Sequence, residues 1–327
     1  MTDLFDSFHR RIDYIRISVT DRCNLRCAYC TAESMSRLPH DEILSYEEIR
    51  RVVQAAVGLG VGRIRLTGGE PLVRPDLSTL VELLTQIEGI DDIALTTNAI
   101  LLGRYAAELK AVGLKRVNIS LDTFKADKFK QITGSDKLEN VLNGIETAMQ
   151  VGLNPLKINT VVLKGFNDDE LVDFARMSVD EGWHVRFIEH MPLATIGAPN
   201  TQLVAVEDMM TIIQKSLGEL KPCLPTSGNG PAKYYQLSGA KGTIGFIGPV
   251  TDCFCSECNR FRLTADGRMR PCLLEDSEID LKGALRMGAS SQELRELMQQ
   301  AAALKKERHH LGDEFVPNKR QMWQIGG

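Results

Sequence analysis

The sequence predicts an α/β fold: a partial, open, TIM-like (β/α)6 barrel over residues 1–200, then a smaller α+β extension over 201–327. Three observations carry this. Six short apolar runs alternate with helical patterns up to about residue 190, as in a parallel sheet with right-handed crossovers. After about residue 200 the rhythm changes to short alternating runs between turn signals. A chain of 327 residues suffices for one barrel-sized unit and a smaller one.

The strands are expected at 14–19, 63–67, 92–97, 116–121, 156–163 and 184–190. Between them, apolar residues recur at i, i+3, i+4 and i+7. Ile49, Val52, Val53 and Ala56 form the first such set, opened by a capping box of Ser45 and Glu48. Leu77, Leu80, Val81 and Leu84 form the second, with Asp76 as N-cap. Leu102, Tyr105, Ala106 and Leu109 follow, then Leu138, Val141, Leu142 and Ile145. Six strands fall short of the eight that close a barrel, which leaves a wide mouth for a large substrate. In the extension, Val206, Met209, Met210 and Ile213 mark a helix, and a loop holds Ser227-Gly228-Asn229-Gly230. Short strands are expected at 234–237, 242–247, 260–264 and 268–272. A last helix uses Leu294, Leu297, Met298 and Ala301 behind a capping box of Ser290 and Glu293.

The formal charge of −4 gives no sign of a nucleic-acid or acidic-membrane partner. No apolar run approaches the roughly 20 residues of a membrane span, and the first eleven residues lack the apolar stretch of a secretory signal. The expected compartment is the reducing cytoplasm. There the eight cysteines are informative, because six fall in two tight groups. Clustered thiols in a reducing compartment read first as metal or cluster ligands.

Cys23, Cys27 and Cys30 have C-x3-C-x2-C spacing just after the first strand, at the end of the barrel where active sites lie. Three thiolates can hold three irons of a [4Fe–4S] cluster and leave the fourth open. An open iron can chelate the amino and carboxylate groups of S-adenosylmethionine (SAM), pass an electron to the sulfonium and release a 5′-deoxyadenosyl radical. The competing reading is a zinc knuckle, but zinc normally takes four ligands and no fourth Cys or His lies in this loop.

Cys255, Cys258 and Cys272 form a second trio, C-x2-C-x13-C, around a hairpin turned at Asp266-Gly267. The hairpin returns Cys272 toward Cys258, and a period of 2 places Cys258, Arg260 and Arg262 on one face. The alternative is a zinc site recruiting Cys253 or a histidine such as His309. Cys223 stands alone and reads as a small buried apolar residue. Two guanidiniums beside an open iron suit a phosphorylated substrate bearing a heteroaromatic base. Arg16, Arg65, Lys157 and Arg186, expected at or near strand ends, would complete a polyphosphate grip.

The first trio and the turn Gly68-Gly69-Glu70-Pro71 resemble the radical SAM superfamily. That resemblance implies that Tyr29, Gly69, Ser120 and Met191 contact SAM, with Thr96 facing the substrate. Residues 20–27, 66–72 and 258–262, with the terminal Gly326-Gly327, resemble the molybdenum cofactor biosynthesis protein A family over nearly the whole chain. This implies two [4Fe–4S] clusters, SAM as radical source and GTP as substrate. Hydrogen would leave C3′ of GTP, and C3′ would bond to C8 of guanine. Arg16, Arg65, Thr96, Lys157, Arg186, Arg260, Phe261 and Arg262 would hold GTP, with Arg260, Arg262, Gly326 and Gly327 serving catalysis. The implied partners are an electron-donor protein and the downstream cyclic pyranopterin monophosphate synthase, and the resemblance allows a homodimer. Two other readings stand beside it: a radical SAM peptide maturase with an auxiliary cluster, and a non-catalytic iron–sulfur or zinc module.

Overall fold

The structure, a computed structural model, describes residues 3–30, 37–191, 203–309 and 320–326. The six expected strands form where the apolar runs lie: β1 Tyr14–Ser18, β2 Arg63–Thr67, β3 Asp92–Thr97, β4 Arg116–Ser120, β5 Lys157–Val162 and β6 His184–Glu189. Each crossover places helices on the outer face: α1 Tyr46–Val57, α2 Leu77–Thr85, α3 Leu102–Ala111, α4 Ala126–Thr133, α5 Leu138–Gln150 and α6 Leu171–Asp180.

The helices form for local reasons. In α1 the Ser45 hydroxyl accepts from the Glu48 N–H and the Glu48 carboxylate accepts from the Ser45 N–H, a closed capping box that contributes about 1 kcal/mol. Its buried face is Ile49, Val52, Val53 and Ala56. Two expectations need correction here. Asp76 precedes α2 with φ 55° and its side chain makes no cap bond, because a left-handed backbone directs the carboxylate away from the helix N–H groups. Leu142 is 37% exposed, since it lies on the outer rim of the α5 stripe.

The extension contributes α7 Val206–Leu217, β7 Lys221–Cys223, β8 Lys233–Gln236, β9 Thr243–Ile247, β10 Arg260–Leu263, β11 Arg268–Arg270, β12 Ile279–Asp280, α8 Leu281–Arg286, α9 Ser291–Ala303 and α10 Met322–Ile325. These strands do not build a sheet of their own. The order is β12-β11-β10-β1-β2-β3-β4-β5-β6-β9-β8-β7 in one twelve-stranded sheet. Both β9 and β10 run parallel to their neighbours β6 and β1. The six-strand barrel wall is thus extended by one parallel strand on each side and capped there by antiparallel ribbons. Cys223 sits in the short outermost strand β7 and is only partly covered, so it is not the buried apolar residue that its isolation suggested.

The two faces of the wall differ in chemistry. Alternate residues of each strand, such as Ile15, Ile17, Ile64, Leu66, Val117, Ile119 and Ile158, join the hydrophobic core under the helices. The other set is polar: Tyr14 and Arg16 on β1, Arg63 and Arg65 on β2, Arg116 and Asn118 on β4, Lys157 and Asn159 on β5, His184 and Arg186 on β6, Arg260 and Arg262 on β10. A closed barrel fills its interior with branched apolar layers. This one lines its interior with donors.

Candidate active site

Cys23, Cys27 and Cys30 follow the C-terminal end of β1. Burial, then Cys30, Asp122 and Cys23, pushes the Cys27 thiol well up. Burial foremost raises Cys23 to about 11 and Cys30 to about 12. Three mutually repelling soft sulfurs become thiolates only beside a cation. The donor set therefore fits a [4Fe–4S] cluster held by three protein ligands.

The loop is pinned by the turn after β2. The Gly69 N–H donates to Thr20 O at 2.9 Å and the Glu70 N–H to Arg22 O at 2.8 Å. A Cβ on Gly69 would lie 2.4 Å from Arg22 O and 3.1 Å from Cys23 Cβ, so only glycine permits this approach. Glu70 has a role that the motif did not reveal. It is buried, accepts from Leu72 N and Thr97 Oγ1 through Oε1 and from Asn98 N through Oε2, and ties the turn to the end of β3. Tyr29 donates its hydroxyl to Asp122 Oδ2 at 2.7 Å. Ser120 is exposed at the last position of β4, and Met191 lies two residues beyond β6, so both face the same rim.

The second trio lies at the other end of the same wall. Cys258 lies two residues before β10, and Cys272 two residues after β11, which returns antiparallel to it. Because β10 is parallel to β1, with Tyr14 opposite Arg260 and Arg16 opposite Arg262, the two trios flank opposite ends of one polar interior. A five-residue strand and its flanks separate them by on the order of 15 Å. Burial alone would raise Cys258, but Arg260 and Lys305 outweigh it and bring the thiol down to about 6. Burial raises Cys272, on which Cys258 and Cys255 also act. Three thiols in mutual reach beside two cations fit a second cluster.

Neighbouring residues hold this end in place. Arg10 pairs with buried Asp6 at 2.6 Å and donates to the carbonyls of Cys255, Glu307 and Lys306. Lys305 donates to Arg260 O and Pro271 O across the hairpin. Glu189 accepts from the N–H groups of Val206, Val250 and Thr251, fixing the loop that leads to Cys253.

Between the trios lie the cations. Arg16 and Arg65 occupy the middle of β1 and β2 and Arg186 the middle of β6, not strand ends as expected; Lys157 opens β5. Burial and then Arg262 lower the Arg16 pKa, and burial and then Arg260 bring Arg262 to about 10. Lys157 falls to about 6 through burial, then Arg186, Arg116 and Arg65. Among the described residues, Arg65, Lys157, Arg186, Arg260 and Arg262 form no ion pair with a carboxylate. Buried positive charge without acidic partners is costly unless an anion is bound.

Three site residues went unread in the sequence. Tyr14 accepts from Arg65 Nε at the centre of the cations. Burial would push its phenol up, yet Arg65, Arg16, Arg260 and Arg116 hold it below the ordinary value. Asn118 is fully buried on the polar wall between Thr96 and Lys157, and among the described residues neither amide atom has a hydrogen-bond partner. Arg116 pairs with Asp92 and so differs from the other cations. Period 2 from Arg16 and Ser120 would have reached Tyr14 and Asn118. Phe261 is corrected in the opposite sense: it is 2% exposed and packs in the core, because alternation turns it away from Arg260 and Arg262.

The tail returns to this interior. The Trp323 N–H donates toward Cys30. A Cβ on Gly326, which has φ 70°, would lie 2.7 Å from Thr67 Cγ2. Arg262 Nη1 donates to Gly326 O at 2.6 Å. Gly327 lies outside the described residues.

A cysteine trio on the first βα loop, a glycine turn packed behind it and a partial parallel barrel define a radical SAM enzyme. Residues 17–178 match the Radical SAM superfamily and residues 183–311 match Molybdenum Cofactor Synthesis C. The GTP 3′,8-cyclase of Pelotomaculum thermopropionicum is 51% identical over 98% of this chain and 99% of its own length. That of Moorella thermoacetica is 49% identical over 98% and 99%. Streptococcus suis SuiB bound to S-adenosylmethionine superposes with a TM-score of 0.62 at 13% identity, over 87% of this chain and 68% of that one, a likeness of fold alone. The chain belongs to the GTP 3′,8-cyclase family.

Proposed function

We propose that this chain converts GTP to 3′,8-cyclo-7,8-dihydro-GTP, the opening reaction of molybdenum cofactor biosynthesis. The observation that carries the reading is the buried trio Arg65, Lys157 and Arg186, which among the described residues form no ion pair with a carboxylate, within a chain about half identical to GTP 3′,8-cyclases over its length. When bound, the cluster on Cys23, Cys27 and Cys30 supplies the electron that splits SAM to the 5′-deoxyadenosyl radical.

The chain's own residues then have separate tasks. Gly69 admits the SAM methionyl end, while Tyr29, Ser120 and Met191 frame its nucleoside. Arg16, Arg65, Lys157 and Arg186 hold the triphosphate, so that C3′ of the ribose points to the first trio. Thr96 and Asn118 offer hydrogen bonds to the sugar. Cys255, Cys258 and Cys272 would hold a second [4Fe–4S] cluster at the guanine end. There Arg260 stands beside Cys258, with Nη2 3.7 Å from its sulfur, and Phe261 contributes only its backbone. Arg262 and the Gly326-Gly327 tail close on the reacting centre. The polar wall shields the substrate radical from solvent and sets its distance from both trios.

The same proposal keeps two units, 1–200 and 201–327, although the family matches meet earlier, ending at 178 and beginning at 183. No helix among the described residues is long and apolar enough to cross a membrane, and a cytoplasmic site, an electron-donor protein and hand-over to cyclic pyranopterin monophosphate synthase belong to this reading. A homodimer is compatible with it. The peptide-maturase alternative has no comparable support, since the relatives at about half identity are GTP 3′,8-cyclases.

The test is anaerobic incubation of reduced enzyme with SAM and GTP. 5′-Deoxyadenosine should form only with GTP present, and about eight irons per chain should be bound. Arg260→Ala should weaken GTP binding, with SAM cleavage persisting when GTP is saturating. Four irons with a zinc ion would remove the second cluster, and 5′-deoxyadenosine formed equally without GTP would contradict the substrate assignment.

A further inference from the structure

Cys253 lies outside both trios, and the proposed reaction leaves it unused. Its sulfur is 3.7 Å from Nε2 of His309, and the ligand atoms of Cys253, Cys255 and His309 all lie within 4.8 Å of one another. A single tetrahedral ion with bonds of about 2.3 Å to sulfur and about 2.0 Å to nitrogen places its S and N ligands roughly 3.6 Å apart. In a cubane each cysteine binds a different iron, so its sulfurs do not converge on one point. The spacing here is that of a mononuclear site.

The convergence is built into the fold. Cys255 opens a short helical turn just after Cys253. His309 comes from the chain that leaves α9. Arg10 grips both segments at once, through the carbonyl of Cys255 at 2.7 Å and those of Glu307 and Lys306 at 2.7 Å and 2.6 Å. That guanidinium is itself buried and fixed by Asp6.

We propose that Cys253, Cys255 and His309 form a mononuclear site for a thiophilic divalent cation such as zinc or ferrous iron. It is filled in the chain that lacks its second cluster and emptied when Cys255 joins that cluster. The exclusion of one state by the other rests on the reading of Cys255 as a cluster ligand. Two thiolates and one imidazole select a borderline-soft ion over magnesium or calcium. A bound ion would hold the 253–255 loop and the segment after α9 together before iron and sulfide arrive.

The test uses the full-length chain stripped of iron and titrated anaerobically with Co2+, whose thiolate charge-transfer absorption reports sulfur ligation. Cys253→Ser and His309→Ala should each remove one tightly held ion, weakening it at least tenfold, while Cys258→Ser and Cys272→Ser should leave that ion in place. Unchanged binding in Cys253→Ser and His309→Ala overturns the site, as does loss of the same ion in Cys258→Ser. Excess Zn2+ should also slow assembly of the second cluster, and Cys253→Ser should relieve the delay. Binding through Cys253 and His309 with assembly unimpeded would instead contradict Cys255 as the shared ligand.

Discussion

Arg262 and Gly326 are joined by a hydrogen bond of 2.6 Å from the guanidinium Nη1 to the tail carbonyl. Arg262 stands opposite Arg16 on the wall between the trios, while Gly326 packs on Thr67 and the neighbouring Trp323 N–H points to Cys30. One contact thus connects the strand of the second trio, the tail and the loop of the first.

Deleting Gly326 and Gly327 should therefore abolish cyclisation and leave both clusters assembled. Arg262→Met should lower product formation roughly 10- to 150-fold, the loss of one charged hydrogen bond at about 1.5–3 kcal/mol. Product yield and iron content measured on the same samples check this. Full activity in the truncated chain would make the tail an ordinary frayed end.

Lys157 carries a pH prediction. Its folded pKa of about 6 lies below the ordinary value, chiefly through burial and then Arg186, so the ligand-free lysine is neutral above that pH. A triphosphate raises it again, so binding takes up a proton. At pH 8, where the nucleotide phosphates are ionised, calorimetry in buffers of different ionisation enthalpy should report uptake approaching one proton per GTP. Lys157→Met should abolish that uptake and weaken GTP. The unfolded chain binds more protons between pH 6 and the ordinary lysine range, so Lys157 costs stability at neutral pH. The ligand-free variant should thus have a higher Tm. Buffer-independent heats would contradict the assignment.

The fold was legible where periodicity was strong. All six barrel strands and both capping boxes lie where spacing put them, because a buried strand flanked by amphipathic helices leaves few alternatives. The joining of the extension to β1 and β6 was not legible, since strand pairing between 15 and 261 is decided by tertiary packing. In the site, cysteines and arginines announce themselves by residue type. Tyr14, Asn118 and Glu70 do not, as each resembles ordinary strand or turn sequence until its neighbours in space are known. Phe261 shows the converse, a motif residue whose side chain belongs to the core.

Arg10 positions the second trio without touching substrate. Arg10→Met leaves Asp6 buried without its partner and frees the Cys255 carbonyl, a loss of about 3–5 kcal/mol when a buried pair is broken. Iron should fall from about eight to about four per chain, with the first cluster still reporting SAM binding by electron paramagnetic resonance. Equal loss of both clusters would mean general unfolding.

Asn118 should act on substrate alone. Asn118→Leu keeps the branched shape and heavy-atom count, removes two unsatisfied amide atoms and should leave stability close to unchanged. KM for GTP should rise about tenfold if one hydrogen bond is lost, with SAM affinity unaltered. A change in SAM affinity with KM for GTP unmoved would place this amide against the cofactor instead.

The most direct measurement follows one hydrogen atom. If a single polar chamber sets the ribose of GTP toward the first trio while the cations hold the triphosphate, GTP deuterated at C3′ should give 5′-deoxyadenosine carrying one deuterium, together with the 3′,8-cyclised nucleotide. Unlabelled 5′-deoxyadenosine from that substrate would mean that the radical meets GTP elsewhere, or not at all, and would contradict the arrangement described.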